Sequence, residues 1–86
     1  MRYLKIKEIG WKYVYCTEMN VFGLKLTDGS KAQAGNDFIK HTYELGALRE
    51  ITKVEVYFRP SEEYIKGMIF YDGETILLNT SPRFNA

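Results

Sequence analysis

The chain has few of the residue types that cross-link a fold or bind a metal. Its 86 residues include one cysteine, Cys16, and one histidine, His41. A single cysteine excludes a disulfide within the chain, and the two residues together are too few for a four-ligand zinc site. The lone cysteine also fits a reducing compartment, so we expect an intracellular, cytoplasmic location. We predict no metal and no cofactor.

Strong net charge and long apolar runs are also missing. No stretch approaches the roughly 20 apolar residues that a membrane span needs, so we expect no membrane partner. Twelve Lys and Arg against eleven Asp and Glu give a net charge of +1, which is too small to attract nucleic acid over a long distance. No catalytic constellation accompanies the cysteine or the histidine, so we expect no enzyme. A chain of this length buries one small core, and residues 1–86 are treated as one domain.

Aromatic residues and alternating apolar positions are abundant instead. Seven Tyr, five Phe and one Trp favour strands and binding surfaces. Val54, Val56 and Phe58 alternate with polar residues, which predicts a strand with one buried face. Residues 65–71 are apolar on both faces, as is typical of a central strand. Asp72-Gly73 predicts a tight turn into a third strand, so the three strands form a meander.

The relative register of the first two strands of this meander is a separate prediction. Both Val56 and Ile69 belong to strongly apolar stretches, and we expect them to face the same core from neighbouring strands. Glu55, on the opposite phase of its strand, is expected to face away from that core.

Three more strands are predicted upstream, over residues 2–9, 11–16 and 21–26. The first alternates apolar with charged side chains, and the second has an aromatic row, Trp11, Tyr13 and Tyr15, on one face. We expect Gly10 to end the first strand, because glycine weakens strand interiors. Residues 17–20 are expected to form a turn before the third strand. Asp28-Gly29, a dipeptide favoured in tight hairpins, is expected to close that strand.

Residues 31–46 fit two structures. A helix would begin after a capping box at Ser30 and end near Gly46. In the β interpretation, residues 31–34 return from the preceding turn and residues 42–45 enter a further strand after a loop. We favour the β interpretation because the intervening Gly-Asn-Asp sequence is poor in a helix interior. The predicted fold class is therefore all-β, with antiparallel sheets of short strands in a β-prism-like or sandwich-like arrangement. The alternative is α+β with one helix.

Two segments resemble the jacalin-like lectins, and the likeness covers residues 21–78. Residues 51–56, ITKVEV, resemble the Ile-x-x-Val-x-Val strand of that family, and residues 65–70, IKGMIF, resemble its Ile-x-Gly-Ile-x-Phe strand. The resemblance implies a β-prism fold whose loops bind sugar. The chain departs from the family in two respects. It lacks the Gly-x-x-x-Asp segment of those lectins, since Gly67 lies five positions before Asp72, and it is shorter than a prism of three four-stranded sheets.

The candidate ligand-binding residues are aromatic residues of one predicted strand and aspartates of two predicted turns, namely Trp11, Tyr13, Tyr15, Asp28 and Asp72. Aromatic rings can stack on sugars or on bases, and aspartates can bind sugar hydroxyls. A structural role is the alternative for each group, because aromatic rows also pack in cores and aspartates also shape turns.

The leading functional hypothesis is a non-enzymatic binding or interaction module that presents loops to a glycan or a protein. The alternatives are a small β-barrel that binds single-stranded nucleic acid, a partner that the low net charge disfavours, and a structural subunit of a larger assembly. A chain with several short strands but too few residues for a full prism leaves a sheet edge or an apolar face uncovered. We therefore expect a homo-oligomer or a place in a larger assembly.

Overall fold

The computed structural model describes residues 5–14, 18–58 and 65–81. These residues form strands and no helix, so the all-β prediction and the β interpretation of residues 31–46 are both confirmed. The strands are β1 Ile6–Val14, β2 Glu18–Leu26, β3 Lys31–Ala34, β4 His41–Glu44, β5 Lys53–Phe58, β6 Ile65–Asp72 and β7 Thr75–Asn79.

The strands form two antiparallel sheets that do not close into a barrel. One sheet has four strands in the order β3-β2-β1-β4, and the other has three in the order β5-β6-β7. The predicted meander is confirmed, with β6 as the central strand of its sheet. Gly29 and Gly73 have φ angles of 88° and 60°, so both predicted Asp-Gly turns use the positive φ that glycine tolerates at low cost.

Two predicted boundaries upstream are wrong. Gly10 does not end a strand but lies inside β1, opposite Gly23 of β2 and Thr42 of β4. Residues 18–20, expected in a turn, belong to β2. The two glycines have a packing role, because a Cβ at Gly10 would lie 2.6 Å from Ile39 Cγ2 and one at Gly23 would lie 2.8 Å from Ile39 Cδ1. The missing side chains therefore leave the space that Ile39 fills.

The predicted register of the meander is also wrong. Val56 pairs with Met68, whereas Ile69 pairs with Glu55. Directly opposed residues of an antiparallel pair share a face, so Val56 and Ile69 lie on opposite faces. Met68 and Phe70 define the core side of β6, since both belong to the buried core cluster. The sequence did not fix this choice because β6 is apolar on both faces.

The core lies between the two sheets and is centred on Ile9, Met68 and Phe70. The ring of Phe22 on β2 stacks on that of Phe70 on β6, with centroids 6.2 Å apart and planes 6° from parallel. The sheets meet mainly through these two strands. Partly buried side chains surround the cluster, namely Ile6, Trp11, Met19, Phe22, Leu24, Leu45, Ile51, Ile65 and Leu78.

The segment between β3 and β4 covers the outer face of the four-stranded sheet. The Asp37 carboxylate accepts hydrogen bonds from Lys12 Nζ at 2.6 Å and from Asn20 Nδ2 at 2.7 Å. These contacts hold the segment in place and help to keep Val21, on that face, fully buried. Both faces of the four-stranded sheet are thus at least partly covered by the chain itself.

Candidate functional site

The strand β5 carries an apolar row on the core side of its sheet. Val54 pairs with Phe70 and Val56 pairs with Met68, so both valines share a face with the buried cluster. Phe58, the next residue of the row, pairs with Ile65, which packs against the same cluster. The core-facing sides of β5 and β6 therefore form one continuous apolar surface.

This row is exposed although it faces the core side. Val54, Val56 and Phe58 are 41%, 42% and 61% exposed, whereas their neighbours Met68 and Phe70 on β6 are 8% and 2% exposed. Strand β2 of the four-stranded sheet packs on β6. Within the described residues, no strand of that sheet makes comparable contact with β5. The strand β5 therefore projects beyond the cover that the other sheet provides.

One backbone edge of β5 has no paired strand among residues 5–14, 18–58 and 65–81. In the described part of the chain, β6 is the only strand that pairs with β5. Thr80 N donates to Met68 O at 2.9 Å, so the backbone groups of Met68 point towards β7. The backbone groups of successive residues in a strand point to opposite edges. The backbone groups of Ile69 therefore point towards β5, where Ile69 pairs with Glu55. The N–H and C=O groups of Val54 and Val56 consequently point to the free edge.

The other face of β5 carries a polar cluster around Glu55. Its carboxylate accepts a hydrogen bond from the Tyr57 hydroxyl and lies 3.1 Å from Lys53 Nζ. Tyr71, on the neighbouring strand, also interacts with it. These partners, with the Tyr57 hydroxyl first, lower the pKa of Glu55 from 4.5 to about 2. The same contact with the carboxylate raises the pKa of each tyrosine.

Lys53 is engaged within this cluster. Besides its ion pair with Glu55, its Nζ lies 4.6 Å from the ring centroid of Tyr71. Edge lysines are one device by which proteins discourage strands from pairing with another chain. Here the ammonium group is held on the face away from the apolar row by a carboxylate and a ring of its own sheet. The core side of the β5 edge thus carries only Val54, Val56 and Phe58.

The predicted aromatic residues lie mainly between the sheets. Trp11 packs against the core cluster, with its ring centroid 5.8 Å from that of His41. The Tyr13 hydroxyl is hydrogen-bonded to Thr80 Oγ1 at 2.7 Å, a bond that links the two sheets. Burial raises the pKa of this tyrosine. This placement favours the structural alternative for both rings. Tyr15 lies outside the described residues.

The two predicted aspartates lie at turns of different sheets. Asp28 accepts hydrogen bonds from the backbone N–H and the hydroxyl of Ser30, and the hydroxyl is the main cause of its lowered pKa. Asp72 accepts a 3.4 Å hydrogen bond from Glu50 N and lies 4.0 Å from the Arg49 guanidinium. The contacts of Asp28 are those of turn formation, whereas Asp72, the last residue of β6, contacts residues 49 and 50. A ligand role for both carboxylates stays a prediction.

A metal site and a membrane-spanning helix both lack candidate residues in the described ranges. No group of three or more His, Cys, Asp and Glu side chains lies close enough to hold a metal ion there. Nor do residues 5–14, 18–58 and 65–81 contain a helix that is long and apolar enough to cross a membrane.

No protein-family model, curated protein or solved structure matches the chain. The likeness to jacalin-like lectins therefore stays a prediction that rests on the sequence alone. A function has to be proposed from the geometry of the chain itself.

The strand β5 is the surface that sequence reasoning missed. The alternation of Val54, Val56 and Phe58 predicts a buried face, and this prediction is wrong, because the row lies on the core side but is exposed. Its exposure depends on how far the other sheet extends, which no local pattern encodes. The Glu55 cluster did have a signal, because residues two apart on a strand share a face. Lys53, Glu55 and Tyr57 could have been grouped on that basis.

Proposed function

We propose that this protein is a non-enzymatic interaction module that binds an extended protein segment along the free edge of β5. The observation that carries the proposal is the coincidence of two features on one strand. Val54 and Val56 direct their backbone groups to an edge that no described strand occupies, and their side chains belong to an exposed apolar row on the core side.

Strand addition uses both features. A segment that pairs with a sheet edge gains a ladder of main-chain hydrogen bonds, and alternate side chains supply the specificity. An added strand beside β5 would also place its own alternate side chains next to Val54, Val56 and Phe58, which would extend the core. Contiguous apolar surface beside a sheet edge is rare on proteins that remain alone in water.

The chemistry of the edge defines the partner segment. It should be extended, without proline at the paired positions, and apolar at every second residue to cover the exposed row. Its other face would lie beside Lys53, Glu55 and Tyr57, so polar side chains suit those positions. The proposal names a protein partner because Trp11 and Tyr13, the rings that a sugar or a base would need, pack between the sheets.

A labelled strand peptide tests the proposal directly. The probe is a fluorescein-labelled peptide of seven residues or so that alternates valine with threonine and lysine. We expect its anisotropy to rise saturably with protein concentration. A peptide of the same composition with N-methylated valines should not bind, because it cannot complete the ladder. Equal behaviour of the two peptides, or no binding by either at a concentration where the chain is monomeric, would overturn the proposal.

A proline variant of the protein provides the matching control. Val56→Pro removes an N–H that points to the free edge, so the bonds between β5 and β6 remain. We expect this variant to keep the unfolding transition of the parent and to lose peptide binding at least about tenfold. Ile76→Ser changes a side chain of similar exposure, 56%, on β7. It should bind the peptide as the parent does.

A further inference from the structure

The exposed row of β5 is complementary to a second copy of itself. We propose that two chains pair antiparallel through β5, with Val56 of each chain opposite Val56 of the other, to form one continuous six-stranded sheet from two three-stranded ones. This inference rests on the proposed function and names its partner.

Backbone geometry limits the registers that such a pair can adopt. The residues whose N–H and C=O groups point to the free edge are Val54, Val56 and, by the same alternation, Phe58. In a symmetric antiparallel pair these residues must oppose one another for both chains to exchange hydrogen bonds. The two-fold axis can therefore pass beside Val54, between Val54 and Val56, beside Val56, between Val56 and Phe58, or beside Phe58.

An axis between Val56 and Phe58, or beside Phe58, pairs at most residues 56–58 of β5. Side-chain chemistry and the length of β5 separate the other three registers. An axis between the valines places Glu55 opposite Glu55 of the second copy, and like charges directly opposite destabilise a sheet. An axis beside Val54 gives Lys53–Glu55 pairs but pairs only residues 53–55 of β5, so Val56 and Phe58 have no partner in β5 of the second copy. Exposed ion pairs contribute less than burial of apolar side chains of this size. This second register is therefore disfavoured too.

An axis beside Val56 matches both faces. On the core side Val54 lies opposite Phe58 of the second copy and Val56 lies opposite Val56, so the row is paired along its whole length. On the other face Glu55 lies opposite Tyr57 of the second copy, which sets a carboxylate beside a phenol hydroxyl. The pair would join the two cores across the interface, because each row continues the core side of its own β6.

Light scattering after size exclusion measures the assembly. We expect a mass of about twice the 10.1 kDa chain as concentration rises from about 1 to 200 μM. Val56→Lys should weaken the dimer at least about tenfold by placing two ammonium groups together on the axis. Ile76→Lys, which puts the same charge on the other edge strand of the sheet, should leave the dimer intact. Dissociation by Ile76→Lys with no effect of Val56→Lys would overturn the inference.

A cysteine scan then tests the register. In a Cys16→Ser background, cysteines are placed singly at positions 54, 55 and 56 and oxidised gently. Directly opposed Cα atoms in a hydrogen-bonded pair lie about 5.5 Å apart, within the range that a disulfide spans. Only Val56→Cys should cross-link efficiently. Efficient cross-linking at position 54 or 55 instead would contradict the register.

The two proposals fail separately. A chain that stays monomeric at the highest concentration but binds the alternating peptide would refute self-pairing and keep the edge as a binding site. A chain that neither dimerises nor binds the peptide would refute both.

Discussion

An alanine at position 10 tests how Ile39 packs on the four-stranded sheet. The added Cβ would lie 2.6 Å from Ile39 Cγ2 and 2.9 Å from Ile39 Cδ1, well inside the roughly 3.5 to 4.0 Å at which carbon atoms pack. Ile39 must then shift, and overpacking of this kind costs about 1 to 3 kcal/mol. Alanine also restricts the unfolded chain, which offsets about 0.4 to 1 kcal/mol. We expect a net loss of about 1 to 2 kcal/mol in the free energy of unfolding.

Urea unfolding measures this loss. The chain has one tryptophan, Trp11, whose partly buried ring reports the transition by fluorescence. Gly10→Ala should lower the midpoint without a change in the slope of free energy against urea. Gly46→Ala is the matched control, because the nearest atom to its added Cβ is Arg49 Cγ at 3.9 Å. That variant should stay within about 0.5 kcal/mol of the parent.

A double variant gives the result that would refute the reasoning. If Ile39 fills the space over Gly10, truncating it makes room for the added methyl group. Gly10→Ala should therefore cost less in an Ile39→Ala background, with a coupling free energy of about 1 kcal/mol. An equal cost in both backgrounds, or an unchanged midpoint for Gly10→Ala alone, would mean that Ile39 does not pack on this glycine.

Three further predictions follow from burial and hydrogen bonding. At a concentration where the chain is monomeric, Phe70→Ala should lower the free energy of unfolding by about 3 to 5 kcal/mol and Val56→Ala by less than about 1 kcal/mol. The reason is that the two side chains are 2% and 42% exposed. Equal losses by urea unfolding would contradict this. The folded-state pKa of Glu55 lies below its ordinary value, so its stabilisation is full above pH 4.5 and is lost as pH falls towards 2. Tyr57→Phe should raise that pKa in an NMR titration of the carboxyl carbon, and an unchanged pKa would exclude the hydroxyl as its main cause. Tyr13→Phe, which removes the 2.7 Å bond between the sheets, should lower the free energy of unfolding by about 1 kcal/mol, and an unchanged urea midpoint would count against that bond.

Local patterns were enough to predict the strands and turns of the meander. The alternation in residues 53–58 and the two-sided apolar run in residues 65–71 depend only on the period of a strand. Asp28-Gly29 and Asp72-Gly73 depend only on backbone freedom at glycine. These features are properties of a few neighbouring residues, so the sequence contains all that is needed to predict them.

The errors arise where distant residues decide the outcome. Gly10 looked like a strand end because its contacts with Gly23 and Ile39 come from other elements. Val56 pairs with Met68, and Ile69 pairs with Glu55. The sequence could not predict this register, because β6 presents apolar side chains to β5 in either register. In both cases tertiary packing overrode a correct local rule.

The strand prediction for β5 is confirmed but its predicted buried face is exposed, and this combination supports the proposed role of β5 in binding. Its sequence is that of a strand with one buried face, and Val54, Val56 and Phe58 do line up on the core side. The described part of the chain nevertheless leaves these side chains 41% to 61% exposed. Burying them would stabilise the protein, since each apolar side chain removed from water contributes about 1.5 to 3 kcal/mol when fully covered. The four-stranded sheet does not extend over β5 in the described part of the chain, so pairing with another chain along this edge, as proposed, would gain this free energy.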